Sequence, residues 1–255
     1  MQEKNPIQSA ERIFSVLELI TQKGQLGVME ISTTLNLNKS TVHRLLASLI
    51  SMGYVRQDPA SGKYTLTFKL LSLAEAFRSK IDVVSIAHPY LEQIMEKSKE
   101  TVHLVQWEGS EVVYIDKVES NSSSVRMVSR IGLRQPMYCT AVGKVILSSI
   151  SEDEVRKIWE ESNIKKLTKN TIVDFEVLLN ELELIRKRGY AVDNEENEIG
   201  VRCMAVYIKD YRGKAVNAFS ISAPVNRMTD ERIEEMASFI LGMKTELSRA
   251  LGYRS

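Results

Sequence analysis

Cysteine is scarce in this chain. Two occur among 255 residues, Cys139 and Cys203, without a CxxC spacing, which argues against a disulfide scaffold and suits a reducing compartment. Long apolar runs are lacking as well: no stretch of about 18 apolar residues is present to cross a membrane, and the opening MQEKNPIQ has no apolar core of the kind a secretory signal needs. The expectation is a cytoplasmic protein without membrane contact. Histidine is limited to His43, His88 and His103, with no close-spaced pair of metal ligands. Nothing resembles the Gly-x-Ser-x-Gly elbow of a serine hydrolase.

What is present is ordinary for a soluble globular protein: 44% hydrophobic and 26% charged residues, in a length that accommodates two folded units. The net charge of +1 conceals an asymmetry. Residues 1–80 hold ten Lys and Arg against six Asp and Glu, a net of +4, which leaves −3 for the remainder. A basic N-terminal part is compatible with phosphate contact, although so small an excess does not by itself indicate nucleic acid.

The stretch LNKSTVHRLLASLISMG, ending at Gly53, organises that basic part. Val42, Leu45, Leu46, Leu49 and Ile50 recur at helical spacing and predict a buried face. The opposite face carries Lys39, Ser40, Thr41, His43, Arg44, Ala47 and Ser48. These side chains are short or hydrogen-bonding, as a helix entering the DNA major groove requires. Asn38 is placed to cap the helix through its side-chain oxygen. Upstream, a helix over Ser9–Thr21, with Ala10, Ile13, Phe14, Leu17 and Ile20 inward and Gly24 as a left-handed cap, precedes a short helix over Val28–Leu35. Helix, short turn, helix is the helix-turn-helix pattern. Downstream, YVRQDPASGKYTL predicts a hairpin around Asp58–Gly62, a wing that puts Arg56 and Lys63 beside a phosphate backbone.

An apolar helix over Phe68–Lys80 follows, and the composition then shifts. The predicted organisation is 1–67 as a winged helix-turn-helix, 68–81 as a linker helix packed on another surface such as its copy in a dimer, and 82–255 as a second domain. In this last part helices are expected near 89–98, 141–150, 152–162, 174–188 and 230–251. Strands are expected at 101–106, 111–118, 125–128, 190–193, 204–209 and 216–222. Strands joined by short turns and mixed irregularly with helices indicate an α+β domain with an antiparallel sheet.

Three segments resemble the isocitrate lyase regulator (IclR) family of bacterial transcription factors, over about Ser9–Leu247: KSTVHRLLASLISMGYV, PMYCTAVGKVILSS, and RGYAVDNEENEIGVRCMAV followed by AFSISAP. The resemblance implies a winged helix-turn-helix, a linker helix and a C-terminal effector-binding domain similar to the GAF fold. It also implies a homodimer or dimer of dimers on a palindromic operator. It marks Ala141, Val142, Asp193, Cys203, Ser220 and Ser222 as lining a small-molecule pocket, with Met127 and Gln135 as neighbours. Ala141-Val142 stands where several members carry Gly-Ala, and Gln135 where an apolar residue can occur; both changes narrow the pocket and make it more polar. A proline is common where Asn38 stands.

An acid, a thiol and two hydroxyls two residues apart on one strand can hold a small polar ligand, although Ser-x-Ser is more often simply the polar face of a sheet. A small carboxylate or oxo acid is expected, its oxygens taking hydroxyls and backbone N–H groups near Val142 and Gly143, with Asp193 accepting a ligand hydroxyl or protonated. Arg126, Arg130 and Arg134 form a basic loop ahead of this pocket. Two other readings stay open: a zinc-responsive regulator using Asp193 and Cys203, and a hydrolase built from Cys203, His103 and Asp193. The preferred expectation is a regulator, a repressor, of a catabolic or transport operon, without enzymatic activity, metal or cofactor.

Overall fold

Helix α1, Gln8–Lys23, turns Val16, Leu17, Leu19 and Ile20 inward. The computed structural model describes residues 7–78, 82–120 and 129–254, and the chain divides between Ile81 and Asp82 into two units. The inward face of α1 is rotated from the expected one, because Val16 and Leu19 share the apolar surface and Phe14 is left 63% exposed. Gly24 holds φ +79° with ψ −139°, so its positive φ is as expected but the backbone leaves extended rather than in a left-handed helical turn.

Helix α2, Val28–Leu35, begins where Glu30 Oε2 accepts the Gly27 N–H at 2.7 Å and ends at Asn36 in the left-handed region. Helix α3, Lys39–Ser51, buries Val42, Leu45, Leu46 and Leu49. These pack with Val16, Ile20, Leu26, Ile31, Val55 and Tyr64 into the core of this unit. Each such side chain contributes about 1.5–3 kcal/mol on burial. Ile50, expected inside, is exposed because it lies at the margin of the apolar stripe in the last turn. Asn38 occupies the N-cap position of α3, but its side chain makes no capping bond.

The wing consists of β1, Val55–Gln57, and β2, Tyr64–Leu66, paired antiparallel, with Leu26 exchanging both backbone bonds with Tyr64. Its turn is closed by Asp58, whose carboxylate accepts from the Ala60 and Ser61 N–H groups, and by Gly62 at φ +67°. Helix α4, Lys69–Arg78, follows.

In the second unit, α5 spans Val83–Ser98 and therefore starts six residues before Pro89. The Asp82 carboxylate fixes this start by accepting the Val84 N–H and the Ser85 hydroxyl. Reading the proline as a helix entry missed this cap. Then come β3 (Thr101–Glu108), β4 (Glu111–Val118), β5 (Arg134–Pro136), α6 (Ala141–Leu147), α7 (Glu152–Glu161) and α8 (Phe175–Arg188). The chain continues through β6 (Ala191–Asn194), β7 (Val201–Ile208), β8 (Asn217–Pro224) and α9 (Asp230–Ala250). The strands form one antiparallel sheet in the order β5-β4-β3-β8-β7-β6. The strand expected at 125–128 and the polar loop at 121–124 lie outside the described residues, and the short β5 was not foreseen.

Helices cover both faces of this sheet, so its central strands are buried on both sides. Phe219, Ile221 and Ala223 of β8 and Met204 and Val206 of β7 pack with α5 and α9. Ala218, Ala205 and Ala191 turn the other way and pack with α6, α7 and α8. Small residues on that second face let α6 lie close to the sheet. Gly143 of the same helix lies against the chain that follows β5: a Cβ there would stand 2.3 Å from the Met137 backbone.

Candidate functional site

On the face covered by α6 the strand register assembles residues far apart in sequence. Asp193 of β6 stands opposite Cys203 of β7, and Cys203 opposite Ser222 of β8. One step along, Ser220 lies between Ala205 and His103. Directly opposed residues in antiparallel strands project to the same side, so acid, thiol and hydroxyls form one patch. The N-terminus of α6 brings Ala141 and Val142 over it, β5 brings Gln135, and the segment between β6 and β7 brings Asn197 and Glu198. Together they enclose a cavity of about 240 Å³.

Gln135, Ala141, Val142, Asp193, Cys203, Ser220 and Ser222 thus line one cavity. Met127 and Arg126 lie outside the described residues. The sequence did not reveal that His103, Tyr114, Ser129, Leu133 and Thr140 join the same wall. Alternation along β3 and β4 could have placed His103 and Tyr114 on one face, but not over this cavity, because the register between non-adjacent strands is not written in either strand. Their rings meet edge to face at 4.9 Å. His103 Nε2 is 2.7 Å from the Ser129 hydroxyl and Nδ1 is 3.3 Å from that of Ser222. Burial, with Lys117 nearby, pushes its pKa down to about 3, so the ring is neutral.

Burial and the neighbouring Glu196 raise Asp193 to about 7, so near neutrality it is part acid and part carboxylate. Burial also pushes the Cys203 and Tyr114 pKa values up, which keeps both protonated. Among the described residues no Lys or Arg lines the cavity. Thr140 Oγ1 already takes the Gly143 N–H at 3.2 Å, which removes one of the backbone donors expected for a ligand. Arg134, expected in a basic loop, lies in β5 and bonds Glu108 at 2.5 Å, with Glu111 at 3.5 Å; Arg130 is exposed.

These facts bear on the other readings. A protonated Cys203, with both ring nitrogens of His103 engaged by serines, is not an activated nucleophile. Among the described residues, no group of three or more His, Cys, Asp or Glu is placed to hold a metal ion. No helix of the described chain is long and apolar enough to cross a membrane.

The first unit presents a different surface. Lys39, Ser40, His43 and Arg44 are exposed on α3 and Thr41 is half-buried; Ala47 and Ser48 extend the same face. Arg56 is exposed on β1. Lys63 is half-buried, its ammonium 3.7 Å from Glu30, which also caps α2. A model of the IclR helix-turn-helix domain matches residues 9–59, and a model of the bacterial transcriptional regulator IclR C-terminal domain matches residues 76–249. The chain belongs to the IclR family.

The family's relatives agree over nearly the whole length. KdgR of Escherichia coli (strain K12), an HTH-type transcriptional regulator, is 36% identical over 247 residues, covering 97% of this chain and 94% of its own. The HTH-type transcriptional repressor AllR of the same organism is 33% identical over 249 residues, covering 97% and 92%. Among solved structures, the Thermotoga maritima IclR is 39% identical with a TM-score of 0.65, covering 96% of this chain and 99% of that one. The Agobacterium tumefaciens repressor BlcR is 30% identical with a TM-score of 0.78, covering 99% and 100%. This IclR-family chain is therefore a DNA-binding transcriptional regulator and not an enzyme, and the zinc-sensor and hydrolase readings find no support.

Proposed function

We propose that this protein is a repressor of a catabolic or transport operon, released from or tightened on its operator by a small organic acid held in the cavity of the second unit. The observation that carries the proposal is the convergence of Gln135, Ala141, Val142, Asp193, Cys203, Ser220 and Ser222 on one cavity whose wall sets polar groups among apolar ones. Its size suits a compound of a few carbons. With no Lys or Arg on the described wall, a carboxylate would be met by hydroxyl and amide donors and by the protonated form of Asp193. Relatives named as repressors, AllR and BlcR, favour repression.

In this reading residues 1–67 contact DNA, 68–81 link, and 82–255 bind effector. Lys39, Ser40, Thr41, His43 and Arg44 reach base edges and phosphates, and Arg56 and Lys63 of the wing reach phosphates. A homodimer, alone or paired into a dimer of dimers, would present two copies of α3 to a palindromic site. The exposed apolar residues Phe68, Leu71 and Leu73 at and along α4 support self-association, since together they leave large apolar side chains of one short segment in water. The ligand shifts DNA binding only by as much as it prefers one arrangement of the protein.

The test is a thermal-shift screen of small organic acids, followed by operator titration with each compound that raises the melting temperature. A compound that both stabilises the protein and changes operator affinity is expected. If every stabilising compound left operator affinity unchanged, control through the cavity would be refuted.

A further inference from the structure

Lys144 follows the cavity-facing residues Ala141 and Val142 on α6, yet its side chain is only 1% exposed. Its ammonium is ion-paired with Glu196 and stands 3.9 Å from Glu181. Glu196 belongs to residues 194–200, the last residue of β6 and the segment between β6 and β7, which supplies Asn197 and Glu198 to the cavity wall. Within it the Glu196 N–H donates to Asp193 Oδ1 at 2.7 Å. Thr168 and Thr171 donate their hydroxyls to the Glu195 and Glu196 carbonyls, each at 2.6 Å. Glu195 is held at φ +59°, a left-handed conformation that a non-glycine residue keeps only when its surroundings impose it.

A buried Lys–Glu pair brings little net stability over an apolar pair of the same shape. What this one does geometrically is tie the wall made by residues 194–200 to the wall made by α6, with Asp193 fixed through the same glutamate. On their far side Lys144 and Glu196 line a second cavity of about 440 Å³. The pair itself lines the second space, and its chain neighbours Val142 and Asn197 line the first. We propose that the Lys144–Glu196 ion pair is the latch of the ligand cavity, holding residues 194–200 closed on α6 and opening to admit the effector. Calling the enclosed space a ligand site rests on the function proposed above; the latch itself is tested without a ligand.

Cys203 lines the cavity and reports on its closure. Full-length protein is treated with 4,4′-dithiodipyridine under native conditions, labelling of Cys203 is followed by peptide mass, and amide exchange is measured in parallel. In Lys144→Met, an unbranched side chain one atom shorter and without the charge, Cys203 should label about tenfold faster or more. Amide exchange should rise in residues 194–200 while β3 and β8 stay protected. Glu196→Gln should act in the same direction, and decides alone if Lys144→Met does not fold. Unchanged labelling in the folded variants overturns the latch. So does faster labelling accompanied by faster exchange throughout the sheet, which would make the pair a contributor to overall stability only. A changed labelling rate alongside stabilising compounds that leave operator affinity unchanged would leave the latch standing and remove the effector reading.

Discussion

At Asp193 the burial that closes the cavity also sets a pH dependence. Its carboxyl titrates at about 7 in the fold against 3.8 for the ordinary group. The folded state therefore holds a proton that the unfolded chain gives up between those values. The associated stability is fully present below the ordinary value and is lost as pH rises through about 7. Asp193→Asn should remove this slope: urea unfolding of both proteins from pH 4.5 to 7.5 should show the wild type losing stability relative to the variant as pH rises. A constant gap would mean that Asp193 is not perturbed.

On the first unit Arg44 and Lys63 make contrasting cases. Arg44 is exposed on α3 and free to form a bidentate base contact, so Arg44→Ala should weaken cognate binding by about 1–3 kcal/mol and relax specificity. Lys63→Ala should weaken cognate and scrambled duplexes alike, because a wing cation meets phosphate. Anisotropy titrations on the two duplexes separate the outcomes. Equal loss on both duplexes for Arg44→Ala would make it a phosphate contact instead.

Among the elements, α6 is the one most constrained by its surroundings. Gly143→Ala would drive a Cβ into the Met137 backbone. It should cost about 3 kcal/mol or more, read by denaturant unfolding, since a backbone contact cannot yield as a side chain does. The Gly-Lys pair was visible in the sequence as a motif, but neither the closeness of the glycine nor the burial of Lys144 was, because both depend on what the helix packs against. By contrast α2, α3 and the wing were legible, since their signals are local: helical spacing in Val42–Leu49, and Asp58 with Gly62 in the turn. The start of α5 was misread because Pro89 is tolerated inside the helix and the local signal at Asp82 is a single residue.

Helix α4 offers a prediction on the same scale. Leu71→Glu with Leu73→Glu should leave each unit folded, lower the mass measured by sedimentation towards that of a monomer, and weaken operator binding through loss of paired reading helices. Retention of the wild-type mass would contradict self-association through α4.

For the whole molecule, the candidate site was legible in part. The Ser220–Ser222 period and the Asp193 and Cys203 motifs could be read from the sequence. Only the register through β6, β7, β8 and β3 places them in one patch with His103. Tyr114, Asn197 and Glu198 enter through tertiary structure alone. The central claim is that occupancy of this cavity, in the second unit, governs DNA binding by residues of the first unit, which is a statement of linkage between two sites. It is tested most directly by operator titrations with and without the effector, on wild type and on Ser220→Ala with Ser222→Ala. The account predicts that the double variant binds ligand-free operator nearly as wild type does and no longer responds to the ligand, the two lost hydrogen bonds costing about 1–3 kcal/mol of ligand affinity. A double variant that responds to the ligand as wild type does would contradict it.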